Sequence, residues 1–160
     1  MKLIAAVLCL TAVNCSASDI SGKWTGQGEW SYHGSGDHCY MSLSFEEGED
    51  YLVRKGGYFD CSAVGMEIEP ARYKKQGARL LDQDGEVIGS YENNVIRIKE
   101  PDTDNLEIFT TITISGLHFD YYEVWQKKDG TEIYNIRGRL FNSGDGILSS
   151  GAAIGSYTVA

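Results

Sequence analysis

The stretch SGKWTGQGEWSY, Ser21 to Tyr32, decides the fold. Strand alternation puts Trp24, Gly26, Gly28, Trp30 and Tyr32 on one face. The two indoles bring large apolar area, and the two glycines leave room beside them. Glycine within a strand allows a sharp bend or the close approach of another group. A curved first strand with an inward tryptophan near its start is what a small closed β-barrel needs.

The same period continues outward from this stretch. Turn signals recur through the chain, among them HGSGD at 33–37, EEGED at 46–50, QDG at 83–85, NN at 93–94 and KDG at 128–130. Between them lie segments rich in Val, Ile, Tyr, Phe, Trp and Thr, and none carries a sustained helical period. The predicted strands are 22–32, 39–46, 51–61, 66–75, 78–82, 86–92, 95–100, 105–115, 117–127 and 131–141. Asn93-Asn94 and Asp129-Gly130 suit tight hairpins because both tolerate positive φ. Pro70 falls at a strand irregularity and Pro101 in a loop. An antiparallel meander of this length must protect its edges, and closure does so. The expected fold is all-β, a closed antiparallel up-and-down β-barrel of about 8–10 strands.

Alternation also assigns the inward faces. Leu106, Ile108, Thr110, Ile112 and Ile114 share one face, as do Leu117, Phe119, Tyr121, Glu123 and Trp125. Cys39, Met41, Leu43 and Phe45 are in phase, and Tyr134, Ile136 and Leu140 oppose Asn135, Arg137 and Arg139. These are half-buried strands with one apolar and one wet face.

The ends of the chain differ from this middle. Lys2 followed by the apolar run Leu3 to Val13 and the small residues Cys15-Ser16-Ala17 reads as an export signal over 1–17. Cleavage after Ala17 leaves a soluble periplasmic or secreted protein. Cleavage before Cys15 leaves a cysteine for lipidation and a membrane-anchored bacterial lipoprotein, although Asn14 and Ala12 depart from that signal. No run approaches the twenty or so apolar residues of a transmembrane helix. The barrel domain is expected over 18–141, and the Gly/Ser/Ala-rich tail 142–160 as a weakly ordered extension.

Two of the four cysteines, Cys39 and Cys61, remain in the exported domain near the two ends of a predicted hairpin. In an oxidising compartment they are expected to form a disulfide rather than a metal or redox pair. Without Lys2 the chain carries 13 basic against 23 acidic residues, a formal charge of −10. Such a surface repels phosphate backbones, so no nucleic-acid partner is expected.

Gly22-Lys23-Trp24, opening a run of antiparallel strands in an exported chain, resembles the GxW of the calycin superfamily, which includes lipocalins, fatty-acid-binding proteins and avidins. The resemblance implies that Trp24 closes one barrel end, packed against an arginine of the last strand, here Arg137 or Arg139. Their alternation puts both on the outer face. The GKWTGQGEW pattern is also similar to the start of ten-stranded nitrobindin-like haem barrels. Those use a late histidine as iron ligand, and TEIYNIRGRLF has none, so neither haem nor another cofactor is expected.

Function is less legible. Glu123 stands between Tyr121 and Trp125 on an apolar face, and a carboxylate there must be paired or wet. A few polar groups among aromatics make small-molecule sites. The expected function is therefore an exported barrel that binds a small, partly apolar ligand through Trp24, Trp30, Tyr121, Glu123 and Trp125. The alternatives are that Glu123 is structural and that the protein is a cell-envelope or interaction module with a filled barrel. His118, Asp120 and Tyr122 read as a solvated stripe. His33, Asp37 and His38 make an incomplete metal set, so no metal site is expected. No nucleophile, base and electrophile come together, and an enzyme is the least supported class.

Overall fold

Period-two alternation governs the whole of the folded chain. The computed structural model describes residues 19–103 and 105–144. The expected signal segment, the lipidation alternative at Cys15 and the tail beyond Gly144 lie outside the described residues. Eleven strands follow one another: β1 (Gly22–Tyr32), β2 (Ser35–Glu47), β3 (Tyr51–Cys61), β4 (Val64–Ile68), β5 (Ala71–Gln76), β6 (Arg79–Leu81), β7 (Val87–Glu92), β8 (Val95–Thr103), β9 (Leu106–Ser115), β10 (His118–Lys127) and β11 (Glu132–Asn142). All pairings are antiparallel. β1 pairs with both β2 and β11, and β3 pairs with β2 and β5, so the sheet closes in a ring.

Two departures from the expected strands have clear causes. The predicted strand 66–75 is interrupted at Glu69-Pro70, and its halves β4 and β5 pair with different stretches of β3. Proline has no N–H to give the ladder. The second strand begins at Ser35 rather than at 39, because His33 and Gly34 both take positive φ, 48° and 83°, and form a tight hairpin. Asn93 and Asn94 turn in the same way, at 52° and 62°.

The inward faces form one continuous core. At one end Trp24 lies 4.8 Å from the Phe119 ring and donates its indole N–H to the Ile20 carbonyl at 2.7 Å. Ile20 itself is fully buried, so the segment before β1 stops that end of the ring. Further along β1, Gly28 stands opposite Gly138 of β11, and the Met41 thioether packs over both. The room left by that glycine is thus already filled by Met41. Cys39 and Cys61 are register partners in β2 and β3 and form a disulfide.

Arg137 and Arg139 point outward. They pair with Glu29 at 3.0 Å and Asp120 at 2.7 Å, and Trp24 is covered by Phe119 instead. The stripe of His118, Asp120 and Tyr122 lies on this same outer face of β10.

Candidate functional site

The ring is not evenly walled. Among the described residues β4 pairs only with β3, and β8 pairs with β7 only as far as Ile98. β6 is three residues long, so the β5–β7 wall is short and its Asp82–Glu86 turn forms a sill. Between these edges lies a cavity of about 610 Å³. Its back wall is Glu100, Ile108, Glu123 and Trp125, and Arg54 and Tyr73 flank it. Five of these six are in phase with the apolar positions of their own strands; Arg54 is in phase with Leu52, ahead of the irregularity at Gly56 that turns Phe59 and Cys61 inward.

Two polar groups sit inside. In the first, the Arg54 guanidinium meets a Glu100 carboxylate oxygen at 3.5 Å and donates through Nε to the Glu69 carbonyl at 3.0 Å. Tyr73 donates its hydroxyl to Glu100 at 2.5 Å. Burial works against the Arg54 charge, but the facing Tyr73, Glu100, Tyr121 and Glu123 outweigh it and hold the guanidinium protonated more firmly than usual.

The second group centres on Glu123, which is 6% exposed. Its carboxylate accepts from the Tyr121 hydroxyl, from the Trp125 indole N–H at 2.7 Å and from the Thr110 hydroxyl at 3.5 Å. All three donors are neutral. Burial first, and then the Glu123 charge, push the Tyr121 hydroxyl well above its ordinary range. Tyr134, on the neighbouring strand, is raised for the same two reasons in the same order.

A different polar group seals the opposite end. Glu47 pairs with Lys75 at 2.7 Å and accepts from the Ile20 N–H and the Tyr91 hydroxyl, each at 3.2 Å. Through the Ile20 N–H it ties the segment that stops the ring to β2, β5 and β7, so this cluster is structural.

The structure brings together Tyr121, Glu123 and Trp125 from the predicted binding residues. Glu123 and Trp125 face the cavity, and Tyr121 positions Glu123 from within the core. Trp30 joins them at one remove. It stacks on Tyr134 at 6.0 Å, and Tyr134 meets Trp125 edge-on at 5.7 Å. The Trp30 indole N–H is the one buried side-chain polar atom without a hydrogen-bond partner among the described residues. Trp24 does not join them. It is 1% exposed and belongs to the packed end of the ring.

Sequence reasoning missed Arg54, Tyr73 and Glu100. The signal that found Glu123 would have found Glu100, in phase with Ile96 and Ile98, but not Arg54, which shares its face with Leu52 and loses the phase of Phe59 and Cys61 at the irregularity by Gly56. A charge on an apolar face marks a polar interior. Among the described residues no three His, Cys, Asp or Glu side chains are grouped to hold a metal ion. No helix among them is long and apolar enough to cross a membrane. No protein-family model matches the chain, and no curated protein matches it.

Proposed function

We propose that this protein is an exported carrier, a calycin-like up-and-down β-barrel that holds one small, partly apolar molecule in its side-opening cavity. The supporting observation is the cavity of about 610 Å³ whose wall combines Trp125 and Ile108 with the buried carboxylate of Glu123. That volume falls within the usual range for small-molecule sites, and so does the mixture of apolar wall and few polar groups. The site assigns contact area to Trp125 and Ile108, orientation to Glu123, and positioning of Glu123 to Tyr121 and Thr110. The signal-like segment 1–17 and the Cys39–Cys61 disulfide support the export part of this reading. No chemical step is assigned, and the role is binding.

A neutral fluorescent probe tests this reading without reference to charge. Aminoanthracene should brighten and saturate with the wild-type protein. Ala71→Trp, which puts an indole into the cavity wall, should abolish the response while the melting temperature holds. An unchanged response in Ala71→Trp, or none in the wild type, would favour the filled-barrel interaction module.

A further inference from the structure

Glu123 is a buried carboxylate with no salt bridge of its own: Arg54, whose charge it feels, is engaged by Glu100. Among the described residues no lysine, arginine or histidine pairs with it, whereas the other interior carboxylates are matched: Glu100 by Arg54 and Glu47 by Lys75. Three neutral donors solvate it, two on one oxygen and one on the other. A carboxylate offers about four acceptor positions, so one remains open. Removing an ionised carboxylate from water without a counter-charge is among the costliest burials in a protein. The fold therefore keeps a buried carboxylate, with an acceptor position open and no salt bridge, beside a cavity it does not fill.

The entrance has the same sign. Glu67, Glu69, Asp82 and Asp84 line its rim, against a single cation there, Arg72, whose guanidinium lies over the Tyr51 ring at 4.4 Å. With the three interior charges included, six carboxylates face two guanidiniums, for a formal −4. A low-dielectric cleft lined by one sign focuses its field and concentrates counter-ions at its mouth. An anionic ligand would meet that rim, and it would have to take Arg54 from Glu100.

We propose that the cavity selects an organic cation, a primary or substituted ammonium on a compact apolar or aromatic body, whose charge completes Glu123 while its body rests on Trp125 and Ile108. The indole beside Glu123 adds a π-face that a neutral or anionic head group would not use. This rests on the carrier reading and deepens it.

Three probes of closely matched size settle the charge by calorimetry: 3-phenylpropylamine as ammonium, 3-phenylpropionate as carboxylate and 3-phenylpropanol as neutral alcohol. The ammonium should bind at least about tenfold tighter than either of the others, the effect of one well-placed interaction. Its affinity should fall as salt rises, because the rim is solvent-exposed. Glu123→Gln, nearly isosteric, should lose about tenfold or more for the ammonium and so erase its preference over the alcohol. Equal binding of ammonium and alcohol would overturn the cation while leaving the carrier intact. Tighter carboxylate binding would overturn it and point to Arg54. Binding of none of the three would overturn it too, and aminoanthracene would then decide separately whether the cavity binds anything. If Glu123→Gln does not fold, the three wild-type affinities decide alone.

Discussion

Raising the pH to about 11 should destabilise this protein through its buried tyrosines. Tyr73 and Tyr121 are 2% and 3% exposed, and burial, ahead of the nearby carboxylates, lifts both hydroxyls far above the ordinary value. An acid whose folded pKa is raised stabilises the fold fully below its unfolded pKa. It loses that contribution as pH rises from there towards the folded value. The unfolded value for tyrosine is about 10. At about pH 11 each buried tyrosine therefore costs about 1.4 kcal/mol, and the pair roughly 3 kcal/mol. Half-buried Tyr91 and Tyr134 shift in the same direction, but solvent screening makes their share smaller. Against a total of about 5–15 kcal/mol, that loss is a large fraction. Urea unfolding followed by tryptophan fluorescence between about pH 8 and 11 measures the decline, and tyrosinate absorbance counts the ionised residues. The Tyr73→Phe/Tyr121→Phe double variant should flatten the slope by about two protons, whatever its stability at neutral pH. A stability unchanged up to about pH 11, or every tyrosine ionising near pH 10 in an intact fold, would refute the reasoning.

Four further outcomes concern covalent structure, packing and a surface ion pair. Replacing Cys39 and Cys61 by alanine should lower stability by about 3 kcal/mol, because their separation of 22 residues sets the loop released in the unfolded chain. Reductant should move the wild-type denaturant midpoint by a matching amount. Gly28→Ala should cost about 1–3 kcal/mol, since the new Cβ would overlap the Arg137 carbonyl and the Met41 sulfur. Trp24→Ala should cost about 3–5 kcal/mol by opening the packed end of the ring. Arg139→Ala should cost far less than Trp24→Ala, because its pair with Asp120 is exposed and screened by solvent. Thermal melts of the Trp24 and Arg139 variants side by side would reveal any reversal of that order.

The all-β class, the closed sheet and the inward faces were legible because each rests on a local period. In β10, Phe119, Tyr121 and Glu123 are buried while Tyr122 is exposed, as strict alternation requires. What alternation cannot give is which inward positions meet across the ring. Arg54 and Glu100 are 46 residues apart, and their contact depends on where β3 and β8 fall in the closed sheet. Nor could alternation show the opening in the wall. That needs the break at Pro70, the brevity of β6 and the unpaired length of β8 at once, and each is unremarkable alone. Trp24 shows the converse limit. Its phase was correct, but phase does not say which end of the ring a residue occupies, and Trp24 is packed against Phe119 and Ile20 at the end away from the cavity.

The central claim is that the interior holds a molecule. It is tested most directly by purifying the mature protein from its native host and recording intact masses under native and denaturing conditions. The account predicts a discrete excess mass under native conditions, lost on denaturation and absent from Ala71→Trp, and a cargo that carries an ammonium group. The polypeptide itself should weigh two hydrogens less than Ser18–Ala160 in its reduced form, and a diacylglycerol mass on Cys15 would instead assign the anchored form. A native mass equal to the denatured one in repeated preparations would contradict the carrier and leave a filled barrel as the better description.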